Sequence, residues 1–146
     1  DGGEVQHHLV HGMTDAQLDF RPGPREWSTR QIVHHVADSH MNAFTRMKLA
    51  LTEPHPTIKP YDQELFAELP DTTAARLEDS LAILRGLHAR WVILMVSLTD
   101  EQWARTAFHP EHSSDISPDT LLETYADHGE IHLRQIAEAR RAQGVE

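Results

Sequence analysis

Cysteine is absent from this chain of 146 residues. The absence excludes disulfide bonds, thiolate metal ligands and a thiol nucleophile supplied by the protein itself. Disulfides belong mainly to oxidising compartments, so a chain without cysteine is typical of the cytoplasm, and a cytoplasmic location is what we expect.

Positive charge is also scarce. The 13 Lys and Arg residues stand against 23 Asp and Glu residues, so the formal net charge is −10. An acidic surface of this kind repels phosphate backbones. We therefore expect no nucleic-acid partner.

Long hydrophobic runs are missing as well. The longest purely apolar stretch has six residues, at positions 91–96, whereas a helix needs roughly 20 residues to span a bilayer. We therefore expect no membrane segment or membrane partner. No signal peptide is visible, but the chain opens on Asp1 rather than on Met, so we expect the natural N-terminus to lie upstream.

The apolar and polar alternation of a half-buried strand is not found, whereas several segments follow the helical period of about 3.6 residues. A first helix is indicated only by three apolar residues spaced four apart, Val5, Leu9 and Met13. Ser28 and Gln31 have the spacing of a capping box and predict the start of a second helix. It should end near Leu51, because three prolines follow within ten residues.

The second half of the chain contains two further long helical patterns. A continuous apolar stripe predicts the third helix, through Leu77, Leu81, Leu84, Leu87, Trp91, Leu94 and Leu98. Thr99 and Gln102 repeat the capping-box spacing and predict one short turn. Ser117 as N-cap, with Pro118 at the first helical position, predicts a last helix to about Ala142. The expected fold is all-α: one domain, a bundle of four main helices, with a long irregular connection between the second and third.

Histidine is abundant, with 12 residues. His128 and His132 are four residues apart on the last predicted helix, so their directions differ by only about 40° and both can reach one ion. Tyr125 and Ile136 extend the same face, which is apolar and therefore predicted to face inward. Glu130 lies about 200° from His128, unlike the acid of the zincin pattern, and is predicted to be a solvated surface charge.

The second predicted helix supplies a third nitrogen ligand. His34, His35 and His40 point in different directions, and His35 fits best because it continues the inner stripe of Ile32, Val36, Ser39 and Ala43. Three imidazoles from two helices would leave coordination positions open, as in catalytic rather than structural sites. The alternative is that these histidines are buried and simply hydrogen-bonded.

Other polar residues near these positions are less informative. Asp38 follows His35 on the same side of the helix and could orient that ligand or act as a base, but an exposed aspartate is the alternative. His88 borders the apolar stripe of the third helix and could face either the cavity or the edge of the core. Arg46, Tyr61 and Asp62 carry groups suited to substrate binding, although their spacing does not place them.

Two longer segments carry a family resemblance. The sequence WSTRQIVHHVADSHMNAFTRMKLALTE at 27–53, followed by IKPYDQELFAEL at 58–69, closely resembles the YfiT-like branch of the DinB superfamily. The shorter pieces LHARW, LTDEQW and HPE fit the same branch. The resemblance covers nearly the whole chain after Thr14. It implies that residues 1–146 form a single DinB/YfiT-like four-helix bundle, with its first helix truncated.

Members of this family typically hold a divalent metal ion on three histidines. The matching motifs place those ligands at His35, His128 and His132, which are the histidines that the helical geometry selects. Zinc suits three imidazoles, and nickel competes well by affinity. The resemblance also implies a homodimer.

Two departures from the family pattern affect the rim of the site. The stretch GPREWS inserts residues where relatives tend to read Gly-Gly-Trp-Thr. Relatives also carry more histidine and aromatic residues on the last helix, where this chain has Asp127, Glu130 and Gln135. The three ligand positions are retained, so these departures bear on substrate preference.

The family is similar to enzymes that transfer low-molecular-weight thiols. A metal ion lowers the pKa of a bound sulfur, so the resemblance implies a metal-dependent transferase that joins a small-molecule thiol such as bacillithiol to a small electrophile. The apparent lack of a well-placed acid near His128 favours transfer. One alternative is a metal-dependent hydrolase of an amide or ester that uses water held by the metal, and another is a metal-binding module without catalysis.

Overall fold

The computed structural model describes residues 10–144, apart from the side chains at positions 127–131 and 133. Val5 and Leu9 of the first predicted helix lie outside the described residues. The elements in chain order are α1 (Asp15–Asp19), α2 (Thr29–Thr52), α3 (Gln63–Ala67), α4 (Pro70–Thr73), α5 (Leu77–Ser97), α6 (Asp100–Trp103), β1 (Ala107–His109), β2 (Ser114–Ile116) and α7 (Pro118–Ala142).

Helix α2 begins at the predicted capping box. The Ser28 hydroxyl accepts a hydrogen bond from the backbone N–H of Gln31 at 3.1 Å, and the Gln31 side chain accepts one from the Ser28 N–H at 2.9 Å. Two donors that the first helical turn would leave unpaired are thereby satisfied. The Gln31 amide also donates to the Ala67 carbonyl at 2.8 Å, so the start of α2 is tied to the end of α3.

The other predicted helix boundaries are confirmed. The apolar stripe forms α5, and Thr99 caps α6 through the same reciprocal bonds with Gln102. Ser117 caps α7, with Pro118 in its first turn, and the helix ends at Ala142.

The core consists of two clusters along α2. The first includes Ile32, Val33, Val36, Leu81, Leu84 and Ile136. The second includes Ala43, Phe44, Met47, Trp91 and Leu121. Ile136, late in α7, packs at the start of α2, whereas Leu121, early in α7, packs near the end of α2. The two helices therefore run antiparallel, with α5 packed on the same two clusters.

Two details differ from the expected bundle. The connection between α2 and α5 contains the short helices α3 and α4 rather than irregular chain alone. The strands β1 and β2 form an antiparallel hairpin in which Ala107 pairs with Ile116 and His109 with Ser114. Each strand has three residues, too few for an alternating pattern to stand out in the sequence.

Helix α5 is the most apolar of the three long helices. With 21 residues and a mean hydropathy of 1.3 over its best window, it is long and apolar enough to cross a membrane by length and composition alone. The same composition suits a helix of a packed bundle, and Leu84 and Trp91 are indeed buried. Ile93 and Val96, in contrast, are 73% and 82% exposed.

Candidate metal centre

His35 and His132 come together between α2 and α7. Both side chains are buried, and their ring centroids are 4.8 Å apart with the ring planes at 68°. Two imidazoles that share a tetrahedral zinc ion at about 2.0–2.1 Å would have ring centroids roughly 5 Å apart. The observed pair therefore fits two ligands of one divalent ion.

The third predicted ligand, His128, has a side chain outside the described residues. Its backbone position lies on α7, one turn before His132. Among the side chains that the structure does describe, no group of three His, Asp or Glu residues could hold a metal ion. The assignment of His128 as a ligand stays a prediction.

A hydrogen bond orients the His132 ring. Its Nδ1 lies 2.8 Å from the Oε1 atom of Gln135, which can only accept, so Nδ1 is the nitrogen that carries the proton. The lone pair is then on Nε2, the tautomer that a metal ligand needs. Sequence reasoning did not assign Gln135 this role.

Replacing Gln135 by Leu should weaken metal binding by about 10-fold. Loss of a hydrogen-bond partner of a ligating histidine typically costs about 10- to 100-fold in affinity, and the smaller effect is expected here because Gln135 is exposed. The amide oxygen that fixes the His132 tautomer would be lost. Gln135→Glu retains an acceptor and should bind metal at least as tightly as the natural protein. Zinc affinity measured by competition with a chelator would decide, and equal affinities for the Leu and Glu variants would contradict the orienting role.

His34 has a structural role. Its Nε2 donates to the Ala75 carbonyl at 2.9 Å, and its Nδ1 therefore accepts from the Ser80 hydroxyl at 2.5 Å. Both nitrogens of this buried ring are engaged, and they tie α2 to the start of α5. His34 is thus placed as expected for the histidine that does not bind the metal.

Trp27 forms a wall beside the histidine pair. Its ring centroid lies 4.6 Å from that of His35 and 6.5 Å from that of His132, and its indole N–H donates to Glu64 at 3.1 Å. Trp27 and His132 both line a cavity of about 410 Å³. Sequence reasoning missed this residue, although an aromatic residue directly before an N-cap, five positions ahead of the helix's apolar Ile32, is the signal of a hydrophobic staple.

A larger cavity, of about 580 Å³, lies along the same two helices. Ser39, one turn after His35 on α2, donates to the Tyr125 hydroxyl at 3.2 Å across to α7. Tyr61 and Arg46 line the same cavity, with the Arg46 guanidinium carbon 5.9 Å from the centre of the Tyr61 ring. The structure therefore places Arg46 and Tyr61 at this cavity, whereas the Asp62 carboxylate caps α3 by accepting from the backbone N–H groups of Glu64 and Leu65.

Burial raises the pKa of two groups near this cavity. It raises the pKa of Tyr61, whose hydroxyl is therefore protonated at neutral pH. Burial also raises the pKa of Asp38, and the nearby Asp71 carboxylate raises it further while His34 opposes the shift. The predicted support of His35 by Asp38 remains a prediction.

The remaining histidines of α2 and α5 pack against each other. The His40 Nδ1 donates to the Val36 carbonyl at 2.8 Å, and its ring centroid lies 5.2 Å from that of His88. Burial lowers the pKa of the half-buried His88. These contacts place His88 at the edge of the core, next to Trp91.

The fold and the paired histidines define a class of protein. The chain belongs to the DinB superfamily, whose sequence model matches residues 3–136. The resemblance inferred from the motifs is thereby confirmed.

Two individual relatives carry names that are more specific than that of the superfamily. A protein of Bacillus subtilis (strain 168) named "Putative metal-dependent hydrolase YfiT" is 44% identical over 135 residues, which are 92% of this chain and 76% of that protein. A protein of Bacillus pumilus (strain SAFR-032), named "Putative metal-dependent hydrolase", is 45% identical over 130 residues, 89% of this chain and 74% of the relative.

A solved structure confirms the fold. It is YfiT from Bacillus subtilis, described as a probable metal-dependent hydrolase with an unusual four-helix bundle topology. It matches with a TM-score of 0.94 at 41% identity and covers 99% of this chain and 83% of that one. The names of these relatives support metal dependence and hydrolysis, and they do not specify a metal or a substrate.

Proposed function

We propose that the protein is a metal-dependent hydrolase of a small amide or ester, with one divalent ion held by His35, His128 and His132. The observation that carries the proposal is the buried pair of His35 and His132, because its ring spacing and the His132 tautomer suit two ligands of one ion. The names of the relatives support hydrolysis over the thiol transfer expected from the sequence.

A divalent ion bound there would supply a Lewis acid and lower the pKa of a coordinated water toward about 7. The chain's own groups would position the substrate. Trp27 packs on His35 and His132 and shields this pair from one side. On the side of the larger cavity, Tyr61 keeps its proton at neutral pH and can donate a hydrogen bond to a carbonyl oxygen that gains negative charge.

Thiol transfer is the second candidate, and one observation favours it. Hydrolysis needs a group that takes a proton from water, whereas a thiol that has already lost its proton needs none. On the side of the larger cavity, the described side chains near the histidine pair include the hydroxyls of Ser39 and Tyr125, with Tyr61 beside them, whereas the carboxylates of Glu64 and Glu138 line the smaller cavity with His132. Tyr61 does not act as a base at neutral pH, because burial raises its pKa.

The two candidates differ in their need for a thiol. Untagged protein reconstituted with zinc or nickel should hydrolyse members of a panel of small amides and esters without any thiol present, and chelation should remove the activity. The same panel, extended with small electrophiles, is then assayed with bacillithiol, mycothiol or glutathione.

Each result selects one function. Turnover without thiol that is lost in His35→Ala supports hydrolysis. Metal-dependent turnover only when a thiol is added would establish transfer and overturn the proposal. If neither condition gives turnover while metal binds stoichiometrically, the protein is a metal-binding module.

A further inference from the structure

The cavity of about 580 Å³ contains a guanidinium group with no ion-pair partner among the described residues. Arg46 is half-buried and lines this cavity. One of its nitrogens donates to the Lys59 carbonyl at 3.3 Å, and no carboxylate of the described residues lies within 4 Å of it. In a chain of net charge −10, a partly desolvated guanidinium that faces a cavity is suited to an anionic ligand.

A buried histidine faces the same cavity from the hairpin. His109, on β1, is 7% exposed and lines the cavity, and its Nδ1 atom is buried without a hydrogen-bond partner in the described structure. A buried nitrogen without a hydrogen-bond partner destabilises the folded protein, so such an atom usually has a partner. Burial lowers the pKa of His109, and the neighbouring His112 and Arg46 lower it further, while Glu111 opposes the shift. The ring is therefore neutral at pH 7 and keeps one N–H to donate.

We propose that this cavity binds a carboxylate group of the substrate, with Arg46 as the charged anchor and His109 as a neutral hydrogen-bond partner. The term substrate rests on the proposed function, whereas binding of a carboxylate does not depend on it. The cavity lies along α2 and α7 one turn from the histidine pair, since Ser39, which lines it, is one turn from His35 and is bonded to Tyr125. An acyl group joined to the carboxylate would extend toward His35 and His132.

The charges around the cavity favour a carboxylate over a phosphate. Arg46 provides a single full positive charge, and Glu111 and Asp115 also line the cavity. The Asp115 carboxylate accepts a hydrogen bond from His55 Nε2 at 2.8 Å. A dianion would meet repulsion from Glu111 that one guanidinium does not offset, whereas a monoanion matches one guanidinium.

The test compares two ligands that differ only in charge, hippurate and its neutral amide hippuramide. Isothermal titration calorimetry is carried out on zinc-loaded and on chelator-treated protein. Hippurate should bind at least about 10-fold more tightly than hippuramide, because a hydrogen bond to a charged group has this strength. Arg46→Gln should remove the preference in both preparations, while Arg85→Gln, which removes an exposed guanidinium that does not line the cavity, should retain it.

Three results with either preparation would overturn the proposal, and a fourth comes from comparing the preparations. They are equal binding of hippurate and hippuramide, an unchanged preference in Arg46→Gln, and tighter binding of inorganic phosphate than of hippurate. A preference seen only with zinc would place the carboxylate on the ion instead. If Arg46→Gln fails to fold, judged by circular dichroism, Arg46→Lys and His109→Asn replace it, and each should weaken hippurate binding. Failure of the hydrolase assay leaves all of these readouts intact, so the two proposals fail separately.

Discussion

His35→Ala is expected to abolish stoichiometric metal binding, with a loss of affinity of about 1000-fold or more. Structural zinc sites provide on the order of 10 kcal/mol of binding free energy, which a few ligands share. The loss of one of three ligating nitrogens therefore removes a large fraction of that free energy. His35 is buried beside His132, and the smaller alanine offers no donor in its place. Metal content of untagged protein and chelator competition measure the change, and turnover should be lost with the metal.

His34→Ala is the matched control, because His34 is adjacent in sequence and equally buried. Both of its nitrogens already bond to α5 and the segment before it. The variant should keep its metal and lose roughly 1–3 kcal/mol of stability through the unpaired Ser80 and Ala75 groups. Metal retained in His35→Ala but lost in His34→Ala would show that the opposite face of α2 binds the ion. His128→Ala and His132→Ala should behave like His35→Ala.

Ile136→Ala is expected to lower the free energy of unfolding by about 2–5 kcal/mol. The side chain is fully buried, and it packs on residues of α2 and α5 in the cluster at the level of the histidine pair. Truncation removes buried methyl groups and leaves a cavity that the three helices only partly fill. Urea denaturation in the presence of a chelator measures this loss without a contribution from metal.

The comparison variant is Ile93→Ala, on the exposed face of α5. Ile93 is 73% exposed, so its truncation should change stability by no more than about 0.5 kcal/mol. Similar losses in the two variants would contradict the packing described for α7. Zinc should recover part of the stability of Ile136→Ala, because a ligand that binds only the folded protein stabilises it by mass action. A stability that zinc leaves unchanged would argue against a metal site in the folded state.

Local patterns in the sequence were enough to predict most of the bundle. Each capping box joins residues three apart, so Ser28 with Gln31 and Thr99 with Gln102 could be recognised without any tertiary information. The His128 and His132 spacing and the inner stripe around His35 likewise depend only on helical periodicity. The pairing of His35 with His132 followed from both residues lying on inward faces, and the structure confirms that their rings are adjacent.

Contacts between distant segments were decided by tertiary structure alone. Arg46 and His109 line one cavity although 62 residues separate them along the chain, and neither carries a local signal of that proximity. Trp27, directly before the N-cap of α2, contacts both His35 and His132, which are 97 residues apart along the chain. Periodicity states which way a side chain points on its own helix, whereas the antiparallel packing of α2 and α7 and the docking of the hairpin determine what it meets.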